Sequence, residues 1–387
     1  MTLVKSFVFL LLFVATTSYA QMAKDKCKFL GNVISNYTPT DFTTYWNQVT
    51  PENAGKWASV ESTKDNMVWT DLDNAYKTAR DNGFTFKQHN FVWGQQQPSW
   101  IGTLTPEEQV KQVEEWIKSF CERYPDTDYI DVVNEPLHET PVYSNALGGK
   151  GTTGWDWVIW AFEKAKEYCP NAKRILNEYN VINNNVTTLQ YLEIINLLKS
   201  RNLIDYIGEQ GHFLESTPNS AITSNLDKLA ATGIPIMISE YDVNIAGDAD
   251  QKAKYESQFP IIWNHSGVHG VTLWGYRQGE IWRTDAYLVR SNGTQRPALD
   301  WLKTFVATNA GGAFCITTGL EDEAPGFKVY PNPSNGDFTV ESSGAFEVRD
   351  LAGRIIVTGT ASSSLHLGPG VYVIHSSDGA VQKLLIK

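Results

Sequence analysis

Between Lys28 and Phe305, short apolar runs rich in Val and Ile alternate eight times with longer stretches of helical period. The runs are KFLGNVI from Lys28, QVTPEN from Gln48, FTFKQHNFVW from Phe84, YIDVVNE from Tyr129, RILNEYN from Arg174, YIGEQGHF from Tyr206, PIMISEYDV from Pro235 and GVTLWGY from Gly270. Such alternation calls for parallel strands joined by helices. Eight units in about 280 residues match a closed (β/α)8 barrel in number and size better than a doubly wound open sheet. The punctuation is clearest after the third run. Thr105 caps, Pro106 fits the first turn, Glu108 completes a capping box, and Val110, Val113, Ile117 and Phe120 form one apolar stripe that packs against a sheet.

All 13 Trp lie between Trp46 and Trp301 and the last 86 residues have none, so the chain has two compositionally different parts. We expect one catalytic unit over 21–309, a Gly, Ala, Thr and acidic linker over 310–326, and a small C-terminal β-sandwich over 327–387. The sandwich reading rests on short alternating segments between turn pairs: KVYPNP, DFTVES, AFEVRD, GRIIVTG, SLHLGPG, VYVIHSS and VQKLLIK. A tail without Trp argues against a carbohydrate-binding module.

With 32 basic and 43 acidic residues the formal charge is -11, which argues against nucleic-acid or anionic-membrane partners. Residues 1–20 read as a secretory signal: Lys5 precedes an apolar run from Phe7 to Ala15, and Ser18 and Ala20 precede a cut before Gln21. That run is too short to span a bilayer, and no later stretch approaches about 20 apolar residues. Cys27, Cys121, Cys169 and Cys315 allow three complete pairings; Cys27 with Cys315 would tie the ends of the large unit together, and free buried thiols are the alternative. No Cys or His cluster has zinc spacing, so neither a metal nor another cofactor is implied. The sequons at Asn36, Asn185, Asn264 and Asn292 are read as chance.

Barrel chemistry gathers where strands end. Glu52, Glu135, Glu178, Glu209, Glu240 and Asp242 all fall at such ends. Pro136 biases Glu135 toward extended backbone and stops the ladder, which places this carboxyl at the rim of the fourth strand, next to the amide of Asn134. Glu240 arrives at the rim of the seventh strand in IMISEYDV. Two such acids facing each other across the barrel mouth suit glycosidic hydrolysis, one protonated and one ionised. A gap of about 5 to 5.5 Å makes the second a nucleophile with retention, and about 6.5 to 9.5 Å admits a water and gives inversion. Trp93, Trp274 and Trp282 flank strand ends, where large rings stack on pyranose faces, and His89 and His212 sit inside the third and sixth runs.

From about Asn32 to Phe305 the chain resembles the family 10 glycoside hydrolases, the endo-β-1,4-xylanases. VTPENAGKW is similar to the family's second-strand segment, which implies that Glu52, Asn53 and Lys56 hold the sugar on the glycone side. HNFVWGQQQPSW resembles the third-strand segment and implies His89, Trp93 and Gln96 along the cleavage subsites. DVVNEP implies Asn134 on the 2-hydroxyl and Glu135 as general acid and base. EQGHF and ISEYDV imply Glu240 as nucleophile, Gln210 and His212 as its partners, and Asp242 behind His212. Trp274 and Trp282 in VTLWGYRQGEIWR look like walls over the glycone subsites, and Tyr179 is a supporting residue. The chain departs from the family at Gly94, where His is usual, at Glu178, the acid of the NDYN segment, and at Tyr241, where Leu is usual. VYPNPSNGDFTV and the closing GVYVIHSSDGAVQKLLIK are similar to sorting domains of the type IX secretion system. The resemblances imply a secreted, extracellular or cell-surface monomer that takes xylan or xylo-oligosaccharide as substrate and meets secretion machinery through its tail.

Overall fold

The computed structural model describes residues 21–35, 37–312, 327–332, 334–342, 344–350, 354–360, 362–377 and 381–386. The expected signal segment, most of the linker, Asn36 and Cys315 lie outside the described residues. Strands Phe29–Ile34 (β1), Gln48–Pro51 (β2), Thr85–Val92 (β3), Tyr129–Asn134 (β4), Lys173–Glu178 (β5), Tyr206–Glu209 (β6), Ile236–Tyr241 (β7) and Val268–Leu273 (β8) pair in parallel with their neighbours and close β8 onto β1. All eight expected runs form the barrel, with helices between them covering its outer face.

The helix Pro106–Arg123 carries the expected capping box, but its inward stripe is centred on Val113, Trp116, Ile117 and Phe120, while Val110 is only half-buried. A disulfide joins Cys121 in its last turn to Cys169 after the helix Asp156–Tyr168, with 5.2 Å between the Cα atoms. Closing 48 residues of chain in this way restrains the unfolded state by about 4 kcal/mol. This overturns the free-thiol alternative for that pair. Among the described residues no helix is long and apolar enough to cross a membrane.

The tail forms two antiparallel sheets. One orders Ser363–His366 (β13), Asp337–Glu341 (β10) and Lys328–Tyr330 (β9); the other orders Ile355–Gly359 (β12), Phe346–Asp350 (β11), Gly370–Ser376 (β14) and Val381–Ile386 (β15). Val329, Phe338, Val340, Phe346, Val348 and Ile374 from both sheets share one apolar core, the arrangement of a small sandwich.

Glu209, the last residue of β6, is an acid buried in the barrel wall. Its Oε1 accepts from the Ile182 amide at 3.5 Å, while Oε2 has no partner among the described residues. Burial pushes this carboxyl up to about 8. The folded chain therefore keeps a proton that the unfolded chain releases above about 4.3, so stability falls as pH rises across that window. Glu209→Gln is expected to leave stability near unchanged at pH 4 and to raise it by roughly 3 to 5 kcal/mol at pH 8, at about 1.4 kcal/mol per pKa unit. Guanidinium unfolding of both proteins at several pH values checks this, and a gain independent of pH contradicts it.

Candidate active site

A cleft of about 520 Å³ opens at the C-terminal ends of the strands. Glu52, Asn53, Lys56, His89, Trp93, Gln96, Glu135, Tyr179, Gln210, His212, Glu240, Trp274 and Trp282 all line it, and Asn134 and Asp242 lie just behind. A second cavity of about 430 Å³ lies at the opposite barrel end around Phe29, Tyr129, Tyr206 and His269, and neither Glu135 nor Glu240 reaches it. The chemistry-bearing groups thus converge on the first cleft.

Glu135 sits one residue past β4, at the rim as expected, but its backbone is left-handed at φ 55° and not extended. The reason is local hydrogen bonding. Its carbonyl turns back to accept the amides of His138 at 3.1 Å and Glu139 at 2.8 Å, while its own amide donates to Asn177 O at 2.8 Å. A side-chain-bearing residue held at positive φ stores strain that its surroundings must offset, a common feature of reactive sites. Trp93 Nε1 and Gln210 Nε2 donate to its two carboxyl oxygens, each at 2.8 Å. Burial raises this carboxyl most, the negative charge of Glu240 adds to that against the two donors, and the group settles at about 7.

Glu240, on β7, has the opposite setting. Asn177 Nδ2 donates to its Oε1 at 2.7 Å, His212 Nε2 lies 3.3 Å from its Oε2, and His89 Nδ1 lies 4.0 Å from Oε1. Burial alone would raise Glu240, but the imidazoles of His89 and His212 and the ammonium of Lys87 outweigh it and hold the group at about 2. Burial also pushes His89 below its ordinary value. Burial would lower His212 too, yet Asp242, 2.9 Å from its Nδ1, and Glu240 together raise it to about 10. Asp242 in turn accepts from Trp282 Nε1 at 3.0 Å and Arg283 Nη1 at 2.6 Å.

Three residues that the sequence reading did not single out complete this network. Asn177 of β5 donates to both Asn134 Oδ1 at 2.8 Å and Glu240, and accepts from Ser239 Oγ at 2.6 Å, so one amide spaces the two strands that carry the acids. Lys87 and Asp131, both fully buried, form an ion pair beneath His89, whose Nδ1 lies 2.8 Å from Asp131 Oδ2. Asn134 Nδ2 has no partner among the described residues, which leaves a donor for a substrate hydroxyl.

The expected glycone residues also meet. Lys56 Nζ donates to Asn53 Oδ1 at 3.0 Å and lies 5.0 Å above the Trp93 ring; burial lowers its pKa. Gln96 Nε2 reaches Asn53 Oδ1 at 3.2 Å, and Ser35 Oγ donates to Glu52. Trp274 is buried edge-on against His89, whereas Trp282 is 51% exposed and free to stack on a sugar face. Gly94, the departure from the usual His, has a packing reason. A Cβ there would lie 2.5 Å from the Glu139 carbonyl, the same carbonyl that accepts the Gly94 amide at 3.0 Å.

The family model described as Glycosyl hydrolase family 10 matches residues 12–305. Endo-1,4-beta-xylanase B of Cellvibrio japonicus is 42% identical over 280 residues, covering 71% of this chain and 45% of the relative, so the chain spans less than half that protein's length. Endo-1,4-beta-xylanase A of Phanerodontia chrysosporium is 28% identical over 332 residues, covering 79% of each. Among solved structures, xylanase 10B from Thermotoga petrophila RKU-1 in complex with xylobiose superposes with a TM-score of 0.66 at 24% identity, over 75% of this chain and 97% of that one, which supports the barrel fold.

Proposed function

Since this chain belongs to glycosyl hydrolase family 10, we propose that it hydrolyses internal β-1,4-xylosidic linkages of xylan by double displacement, with retention at the anomeric carbon. The observation that carries this reading is the opposite tuning of two carboxyls in one cleft, Glu135 at about 7 and Glu240 at about 2. Glu240 attacks the anomeric carbon while Glu135 gives its proton to the departing glycosidic oxygen. The bond to the leaving chain breaks as an ester to Glu240 forms. Esterification removes the negative charge that helps keep Glu135 protonated, so Glu135 becomes the base that takes a proton from the incoming water. That water oxygen then displaces Glu240 and restores both groups. Asn134 Nδ2 is available to the 2-hydroxyl, where a hydrogen bond strengthens as charge develops on the ring.

We also propose that the protein works outside the cell as a monomer without a cofactor. In this reading residues 1–20 are the export signal, 21–309 the catalytic unit, 310–326 a linker, and 327–387 a sorting domain for type IX secretion. The Cys121–Cys169 disulfide supports an oxidising compartment. Initial rates on xylan and on carboxymethylcellulose test the substrate. Preference for xylan by at least about 100-fold is expected, a difference of roughly 2.7 kcal/mol in transition-state binding. The reverse preference would make the protein a glucanase, and tight xylan binding without product would make it a non-catalytic binder.

A further inference from the structure

Glu178, the acid that replaces the usual one in its segment, is fully buried at the end of β5 and clasps two loops. Its Oε1 accepts the Tyr179 amide at 2.8 Å and lies 2.8 Å from His138 Nδ1, and its Oε2 accepts the Leu137 amide at 2.9 Å. His138 stands three residues after Glu135, and its amide donates to the Glu135 carbonyl within the turn that holds the acid in its left-handed conformation. The imidazole lies flat on the Tyr179 ring, centroids 4.1 Å apart with 30° between planes. The hydrogen bond to Glu178 holds His138 above its ordinary pKa, and the imidazole covers one face of the tyrosine.

Tyr179 lines the cleft beside Glu135 and Glu139. It projects from β5, on the far side of the closed barrel from β1 and its neighbours β2 and β8, which precede the expected glycone residues Glu52 and Trp282. Tyr179 thus stands on the side of the cleft away from those residues. We infer that His138 is a positioning residue for this reaction: pinned by Glu178, it fixes the Tyr179 ring as a platform for the leaving-group sugar and ties that platform to the turn that aims Glu135.

This inference rests on the xylanase reading, and its test separates the two. His138→Ala is expected to lower kcat/KM on xylohexaose by about 10-fold, mainly through KM, and to leave an aryl β-xylobioside, which has no leaving-group sugar, within about twofold of wild type. His138→Gln, which keeps a donor for Glu178 but loses the stacked ring, is expected to show the same selective loss and guards against a folding defect in the alanine variant. In a Tyr179→Ala background, His138→Ala should cost no more than about twofold further, because both changes remove one interaction. Equal losses on both substrates, or losses that multiply in the double variant, would overturn the inference while leaving the xylanase reading intact. Wild-type protein inactive on both substrates would overturn both.

Discussion

Replacing Glu240 by alanine is expected to cut xylan hydrolysis by at least about 10⁴-fold, because the first displacement then has no nucleophile. The fold should survive. The carboxylate stands among His89, His212 and Asn177, and each of these keeps another partner in Asp131, Asp242 or Asn134. The truncated side chain leaves a small space beside the anomeric carbon that azide can enter. With an aryl β-xylobioside, which needs little help from the acid, azide is expected to restore turnover and to yield the α-glycosyl azide, since the external anion attacks from the face that Glu240 occupied. Turnover close to wild type without azide would remove Glu240 from the mechanism.

Glu135→Ala is expected to lose about 10³-fold on xylan, the range for general acid catalysis, and far less in the first step on substrates with a dinitrophenolate leaving group, which departs without a proton. Azide should then trap the intermediate as the β-glycosyl azide, opposite to the Glu240 variant. The pH profile carries a second signature. Burial, with Glu240 adding to it, raises Glu135 to about 7, and the active form is the protonated one. Wild-type kcat/KM on xylan is therefore expected to be flat in mild acid and to fall about tenfold per unit above pH 7, whereas the variant lacks this limb. The acid limb, set by Glu240 at about 2, lies well below the working range. An alkaline limb that persists unchanged in Glu135→Ala would assign it to another group.

Much of this architecture is legible in the residues themselves. The eight apolar runs become the eight strands because a barrel stave buried on both faces needs a continuous β-branched segment, which periodicity exposes. Glu52, Glu135 and Glu240 are legible through their clustering at strand ends, whereas Asn53, Lys56 and Gln96 come from the family resemblance alone. What escaped the reading is of a different kind. Asn177, Lys87 and Asp131 sit inside strand runs, where a polar residue looks the same whether it points into the barrel or out of it; only the closed register shows Asn177 opposite Asn134, and Asp131 opposite His89 within reach of Lys87. The left-handed turn at Glu135 was hidden by Pro136, whose local bias is overridden by two amides seeking one carbonyl. The His138–Glu178 pair spans 40 residues and has no periodic signature.

The account depends on Glu240 forming a bond to the sugar, and the configuration of the first product reports that bond directly. Time-resolved proton NMR of xylotetraose hydrolysis at a pH below 7 follows the new reducing end before it mutarotates. The β-anomer is expected to appear first and the α-anomer only as mutarotation proceeds; initial appearance of the α-anomer would contradict double displacement through Glu240.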